Sequence, residues 1–231
     1  QKLHQTLSNY KNNEKKFFKT FFETPLIFPK ILLSSSLFVC LFFILIVMLF
    51  ILLITNEVQY RTHRQNIING LSRMDFLKAK FSMLIFFVGV STLLVFIMGL
   101  IVGKVFSVPG TDMFKNVHLV GYFALMATLY LMLAFLVAIL IKRTGLAIII
   151  YFAIVCIVDN VLWLIFTIKG SQMGYFMPLE VVDSLLVNPF KPKLMEKRTM
   201  QDYTLIIGAV AYISIYAYII INYFRKTDLK T

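Results

Sequence analysis

The chain has 231 residues, of which 59% are hydrophobic and only 15% charged, whereas a soluble domain carries roughly 45–50% apolar and about 25% charged residues. So much apolar surface cannot be hidden in one aqueous core, which excludes an ordinary soluble enzyme and makes a bilayer the natural solvent. The net charge of +12 would suggest nucleic acid in a soluble domain, but here Lys and Arg fall between apolar stretches, where they set topology and meet anionic headgroups, so membrane lipids are expected as partners and nucleic acid is not.

Residues 1–30 are polar and Lys-rich. Phe17, Phe18, Phe21 and Phe22 share one helical face with Lys15, Lys16 and Lys19 nearby, the pattern of an interfacial helix in the headgroup region. A disordered basic tail is the alternative. Pro25 and Pro29 interrupt any continuous helix before the first apolar stretch.

Five stretches then reach the roughly 20 apolar residues that cross a hydrocarbon core as a helix. They cover residues 31–55, 81–103, 117–141, 145–168 and 204–224. Backbone polar groups must be satisfied inside lipid, which makes such runs α-helices. The expected fold is an all-α polytopic transmembrane helix bundle with five spans visible, forming a single domain over residues 1–231.

Between the first two spans, residues 56–80 form a polar loop. Glu57 follows the first span, a short run of helical spacing ends at Gly70, and Ser72 and Asp75 have the spacing of a capping box before the next apolar run. The loop therefore reads as a short helix over 60–69, a turn, and a helix re-entering the membrane. Within the second span, Gly99 and Gly103 are four residues apart, a spacing suited to close helix packing; Lys104 follows without the spacing or the Ser/Thr of a phosphate-binding loop.

In the fourth span Asp159 and Asn160 lie at mid-depth, where an ionisable group costs roughly 2.5–3.5 kcal/mol or more unless paired. Asp159 should therefore face the bundle interior. It lines a substrate path or, the favoured alternative, bonds a neighbouring helix through groups such as Tyr130, Thr128 or Tyr212. Residues 169–203 read as an outer loop. In the last span Gly208, Ala211, Ser214 and Ala217 make a small-residue face beside a stripe of Tyr212, Tyr216 and Tyr223, suited to interior packing or to contact with an amphipathic substrate.

Cys40 and Cys156 lie in apolar stretches without a CxxC pair, and His4, His63 and His118 are scattered, so neither a disulfide framework nor a metal site is expected. No nucleophile and base, or paired carboxylates in a polar pocket, can be assembled from the loops, and the chain is not expected to be an enzyme. Raw counts of Lys and Arg do not separate the two sides, since Lys104, Lys115, Lys169, Lys191, Lys193, Lys197, Arg198 and the lysines of 1–30 oppose Arg61, Arg64, Arg73, Lys78, Lys80, Lys142, Arg143, Arg225, Lys226 and Lys230. Density near span ends and the placement of every Arg except Arg198 favour a cytoplasmic 56–80 loop.

At that loop the sequence resembles the permease family of ABC-2 type ATP-driven exporters. Its members often carry a Glu after the second span, a Thr and basic residues, a Ser-Arg pair, an apolar residue, and a Lys leading into the third span. Here these positions read Glu57, Thr62, Arg64, Ser72, Arg73, Phe76 and Lys80. A weaker likeness extends to the segment 185–190 and to the ending at 224–228. The resemblance implies six spans, a homo- or heterodimer of permease subunits, and a separate cytoplasmic ABC ATPase that holds ATP and Mg, with no cofactor on this chain. It implies that the loop supplies a coupling helix that docks on the ATPase, with Glu57, Arg61, Thr62, Arg64, Ile67, Ile68, Ser72, Arg73, Phe76 and Lys80 as the ATPase-coupling residues. A further span is then expected before Gln1, leaving 1–30 as an outer loop. Asp159, Asn160, Tyr212 and Tyr216 are candidates for a substrate path or an interhelical polar contact.

The expected function is export of an amphipathic or lipid-like substrate across the cytoplasmic (inner) membrane of a bacterium by a multi-pass permease. Two alternatives belong to other classes: a non-transporting anchor or immunity-type binding subunit, and an integral-membrane lipid-modifying enzyme. A loop serving only as a topology determinant is the plain alternative to the coupling helix.

Overall fold

The computed structural model describes residues 36–60, 72–106, 117–168, 172–186 and 201–226. Among these the chain is α-helical with no strand. Helix α1 spans Ser36–Gln59, α2 Arg73–Phe106 and α3 His118–Leu140. The next helical unit runs as α4 Thr144–Ala153, a π-helical turn Ile154–Val158, and α5 Asp159–Ile168. A 3₁₀ turn Gln172–Phe176 and a short helix α6 Glu180–Asp183 follow, and α7 spans Asp202–Lys226.

Among the described residues four helical stretches are long and apolar enough to cross a membrane: Met74–Ile101, His118–Leu140, Thr144–Phe166 and Asp202–Lys226. The first helix contributes a shorter apolar stretch, Phe42–Glu57. Large apolar side chains such as Ile85, Phe86, Leu93, Ile149, Ile207 and Tyr218 stand exposed on the outer faces. In water so much exposed apolar surface would be an aggregation hazard; against lipid tails it is the expected exterior.

Helix α3 is the centre. It packs against α1, α2, α4 and α7, and Ala127, Leu131, Ala134, Phe135 and Ala138 along it are fully buried. Its alanines let neighbouring backbones approach, and its aromatics meet theirs edge-on. Phe135 lies 6.1 Å from Phe50 of α1 and 5.7 Å from Phe81 of α2, while Phe50 is 5.8 Å from Phe87. Such edge-to-face contacts add to the burial of the rings themselves.

Helix α2 starts at Arg73, eight residues before the expected start of its apolar run. At 1.5 Å per residue its 34 residues extend roughly 50 Å, well beyond a hydrocarbon core of about 30 Å. Its first turns, with Lys78 and Lys80, therefore stand at the membrane edge.

Contacts across the bundle bring together the end of α1, the starts of α2 and α4, and the end of α7, as Glu57 meets Lys80, Thr55 meets Thr144 and Phe76 meets Phe224. One end of the bundle thus gathers Lys78, Lys80, Lys142, Arg143, Arg225 and Lys226. The opposite end holds the starts of α3 and α7, where the Tyr122 hydroxyl donates to Asp202 at 3.1 Å.

The small-residue face expected on α7 is not one packing seam. Gly208 meets the short helix α6, a Cβ added there lying 3.4 Å from Cγ1 of Val181, whereas Ala211 and Ser214 are exposed. Gly99 of α2 is buried.

Candidate functional site

Two groups of polar residues stand out, one at the basic end and one at mid-depth. At the basic end, Ser72 caps the start of α2 as its sequence predicts. The Ser72 hydroxyl accepts the Asp75 backbone N–H at 3.1 Å and donates to the Asp75 carboxylate at 2.5 Å, while Lys78 one turn on pairs with Asp75 at 3.2 Å. The cap satisfies an amide that the helix cannot satisfy itself.

One turn further, Lys80 turns inward and is only 7% exposed. Its ammonium pairs with the Glu57 carboxylate on α1 and lies 5.1 Å from the centroid of the Phe76 ring. The Phe76 ring lies 6.0 Å from Phe224 on the last turns of α7. Beside this group the Thr55 hydroxyl, fully buried, donates to Ile51 O at 2.7 Å, and the Thr144 hydroxyl lies 3.0 Å from it and within 3.4 Å of the side-chain oxygens of Asn56 and Gln59. Glu57, Phe76 and Lys80 are thus brought into one cluster, with Ser72 at its edge. Arg61, Thr62, Arg64, Ile67 and Ile68, and with them most of the expected 60–69 helix, lie outside the described residues, as does the Arg73 side chain.

At mid-depth Asp159 is 6% exposed and accepts the backbone N–H of Leu179 at 3.3 Å. Leu179 is the residue that opens α6. The carboxylate therefore caps a short helix from across the bundle. Asn160 does something else. One residue on, it is exposed on the other side of the helix, and its amide donates to Val155 O at 3.1 Å and Cys156 O at 3.2 Å, carbonyls of the π-helical turn. The widened turn disturbs the regular backbone ladder, and Asn160 covers it locally. Of the four mid-depth candidates, Asp159 and Tyr212 both bond the backbone of residues 176–179, Tyr216 lies beside Tyr212 with ring centroids 6.3 Å apart, and Asn160 bonds only its own helix.

The bonds of Asp159 and Tyr212 depend on residues 172–186, which the sequence places in an outer loop. Leu179, Glu180, Val181, Val182 and Leu185 are each at most 3% exposed, and α6 packs against α3, α5 and α7. Side chains from three helices hold the segment: the Tyr212 hydroxyl donates to Phe176 O at 2.8 Å, the Tyr130 hydroxyl lies 2.9 Å from each oxygen of Asp183, and Asp159 accepts from Leu179. Ser184 donates to Glu180 at 2.7 Å. Irregular backbone at membrane depth is tolerated where protein buries it, and these bonds supply the partners that lipid cannot. Sequence reading missed Asp183, Glu180, Thr55, Thr144 and Phe224. The one available signal was the apolar spacing of Leu179, Val181, Val182 and Leu185 around a four-residue helix.

No set of three or more His, Cys, Asp or Glu suited to a metal ion occurs among the described residues. The sequence matches no protein-family model, no curated protein and no solved structure.

Proposed function

We propose that this chain is the membrane-spanning permease subunit of an ATP-driven exporter, working with a cytoplasmic ABC ATPase and a second permease subunit in a bacterial cytoplasmic membrane. The observation that carries the reading is the Glu57 to Lys80 pair. These residues bound the loop in which the sequence resembles ABC-2 permeases, and their pairing fixes the two helix ends that present it. The gathering of basic side chains at that end agrees with a cytoplasmic loop.

On this reading the chain's work is conformational. Nucleotide binding and hydrolysis on the partner bias the bundle between two arrangements, and a ligand shifts such an equilibrium only by its difference in affinity for them. Asp159, Tyr212 and Tyr216 line or border the route of an amphipathic, lipid-like substrate, and residues 172–186 pack beside it. The chemistry of ATP hydrolysis belongs to the partner chain.

The test is purification of the tagged chain from its native membranes in mild detergent. An ATPase with a Walker motif should accompany it, and turnover of the reconstituted complex should rise with lipid-like substrate. Recovery of the chain without any nucleotide-hydrolysing partner would favour a non-transporting anchor.

A further inference from the structure

Lys80 is only 7% exposed, and its ammonium is held by groups of its own chain. An ammonium withdrawn from water is tolerable while opposite charge and ring face stay in position. Glu57 supplies the first from α1 and Phe76 the second from the opening turn of α2. The same Phe76 ring rests on Phe224 of α7. Three helix ends are therefore joined through one buried cation and one ring.

We infer that Glu57, Lys80, Phe76 and Phe224 form a clasp that passes displacement of the end of α1 to the last span. Lys80 is then a positioning residue, acting through Glu57 and Phe76. The source of the displacement rests on the exporter reading, whereas the clasp is a property of the chain alone. Coupling between distant groups is carried by contiguous contacts whose equilibrium both ends bias. If α1 moves, Lys80 follows Glu57 or loses its counter-charge, and Phe76 shifts against Phe224.

Distances between spin labels on the isolated chain test this, with Cys40 and Cys156 replaced by Ser. Tyr60, Lys78 and Lys226 are exposed and accept labels as Cys in two pairs, 60 with 78 and 78 with 226. Both pairs should give narrow distributions in the parent. Glu57→Gln, nearly isosteric, should broaden both, including the 78 to 226 pair that Glu57 does not touch. Lys80→Met should do the same, and Lys80→Arg, which keeps charge and ring contact, should restore the narrow peaks. A local ion pair would broaden only the 60 to 78 pair, and that result overturns the clasp. So would an unchanged 78 to 226 distribution in Lys80→Met, equal broadening by Lys80→Arg, or loss of helical circular dichroism in Glu57→Gln. No ATPase is present in the measurement, so its failure is separate from failure of the exporter reading.

Discussion

Replacing Tyr130 with Phe removes one hydroxyl from the middle of the bundle and leaves the ring, so no cavity confuses the result. The hydroxyl lies 2.9 Å from both oxygens of Asp183, in a region where α6 and its neighbours are buried. Hydrogen bonds to a charged acceptor contribute about 1.5–3 kcal/mol in soluble proteins, whereas interhelical bonds in a membrane protein average about 0.6 kcal/mol and reach about 1.7. Asp183 also interacts with other groups, which lowers the loss. The expected destabilisation is therefore about 1–1.5 kcal/mol. A double-mutant cycle with Asp183→Ala, followed by unfolding in lipid bicelles, isolates the pairwise part. A coupling energy of about 1 kcal/mol is expected. Additive losses, with coupling near zero, would refute the claim that this bond anchors residues 172–186 to α3.

Ser72→Ala removes the cap of α2 and should cost about 1 kcal/mol, read as earlier fraying of the 72–80 amides in hydrogen exchange with the rest of α2 unaffected. At Gly208 the fit against Val181 makes Ala acceptable and helix-favouring by up to about 1 kcal/mol, while Leu should displace α6 at a cost of about 1–3 kcal/mol; thermal unfolding of the two variants should therefore move in opposite directions. Asp159→Leu leaves the Leu179 N–H without its partner and should cost about 1–3 kcal/mol, whereas Asn160→Leu should cost less, because only local bonds to the π-helical turn are lost.

The parts legible in the sequence are those decided by neighbours along the chain. About 20 apolar residues in a row suffice to place a span, and Ser72 with Asp75 suffices to place a cap, because both depend on local geometry. The pairing of Glu57 with Lys80 is not local. Resemblance assigned both to the loop, and only the antiparallel packing of α1 on α2 turned them toward each other. Adjacency misled at Asp159 and Asn160, since consecutive helical residues point about 100° apart and only one of them faces α6. Hydropathy likewise read 172–186 as a loop, although the carboxylates of Glu180 and Asp183 are accommodated by Ser184 and Tyr130. A polar segment can enter a bundle when its partners are already there, and composition does not show the partners.

The central claim is that the 56–80 loop joins this subunit to an ATPase. Replacing Ile67 and Ile68 together with Asp tests it most directly, because burial of each in a partner groove would contribute roughly 1.5–3 kcal/mol and both fall outside the five long apolar stretches of the sequence. Parent and variant should be expressed at equal levels and affinity-purified, and the ATPase activity retained on each should be measured. The account expects the variant to insert normally and to lose its ATPase; full retention, with substrate-stimulated turnover intact, would contradict it.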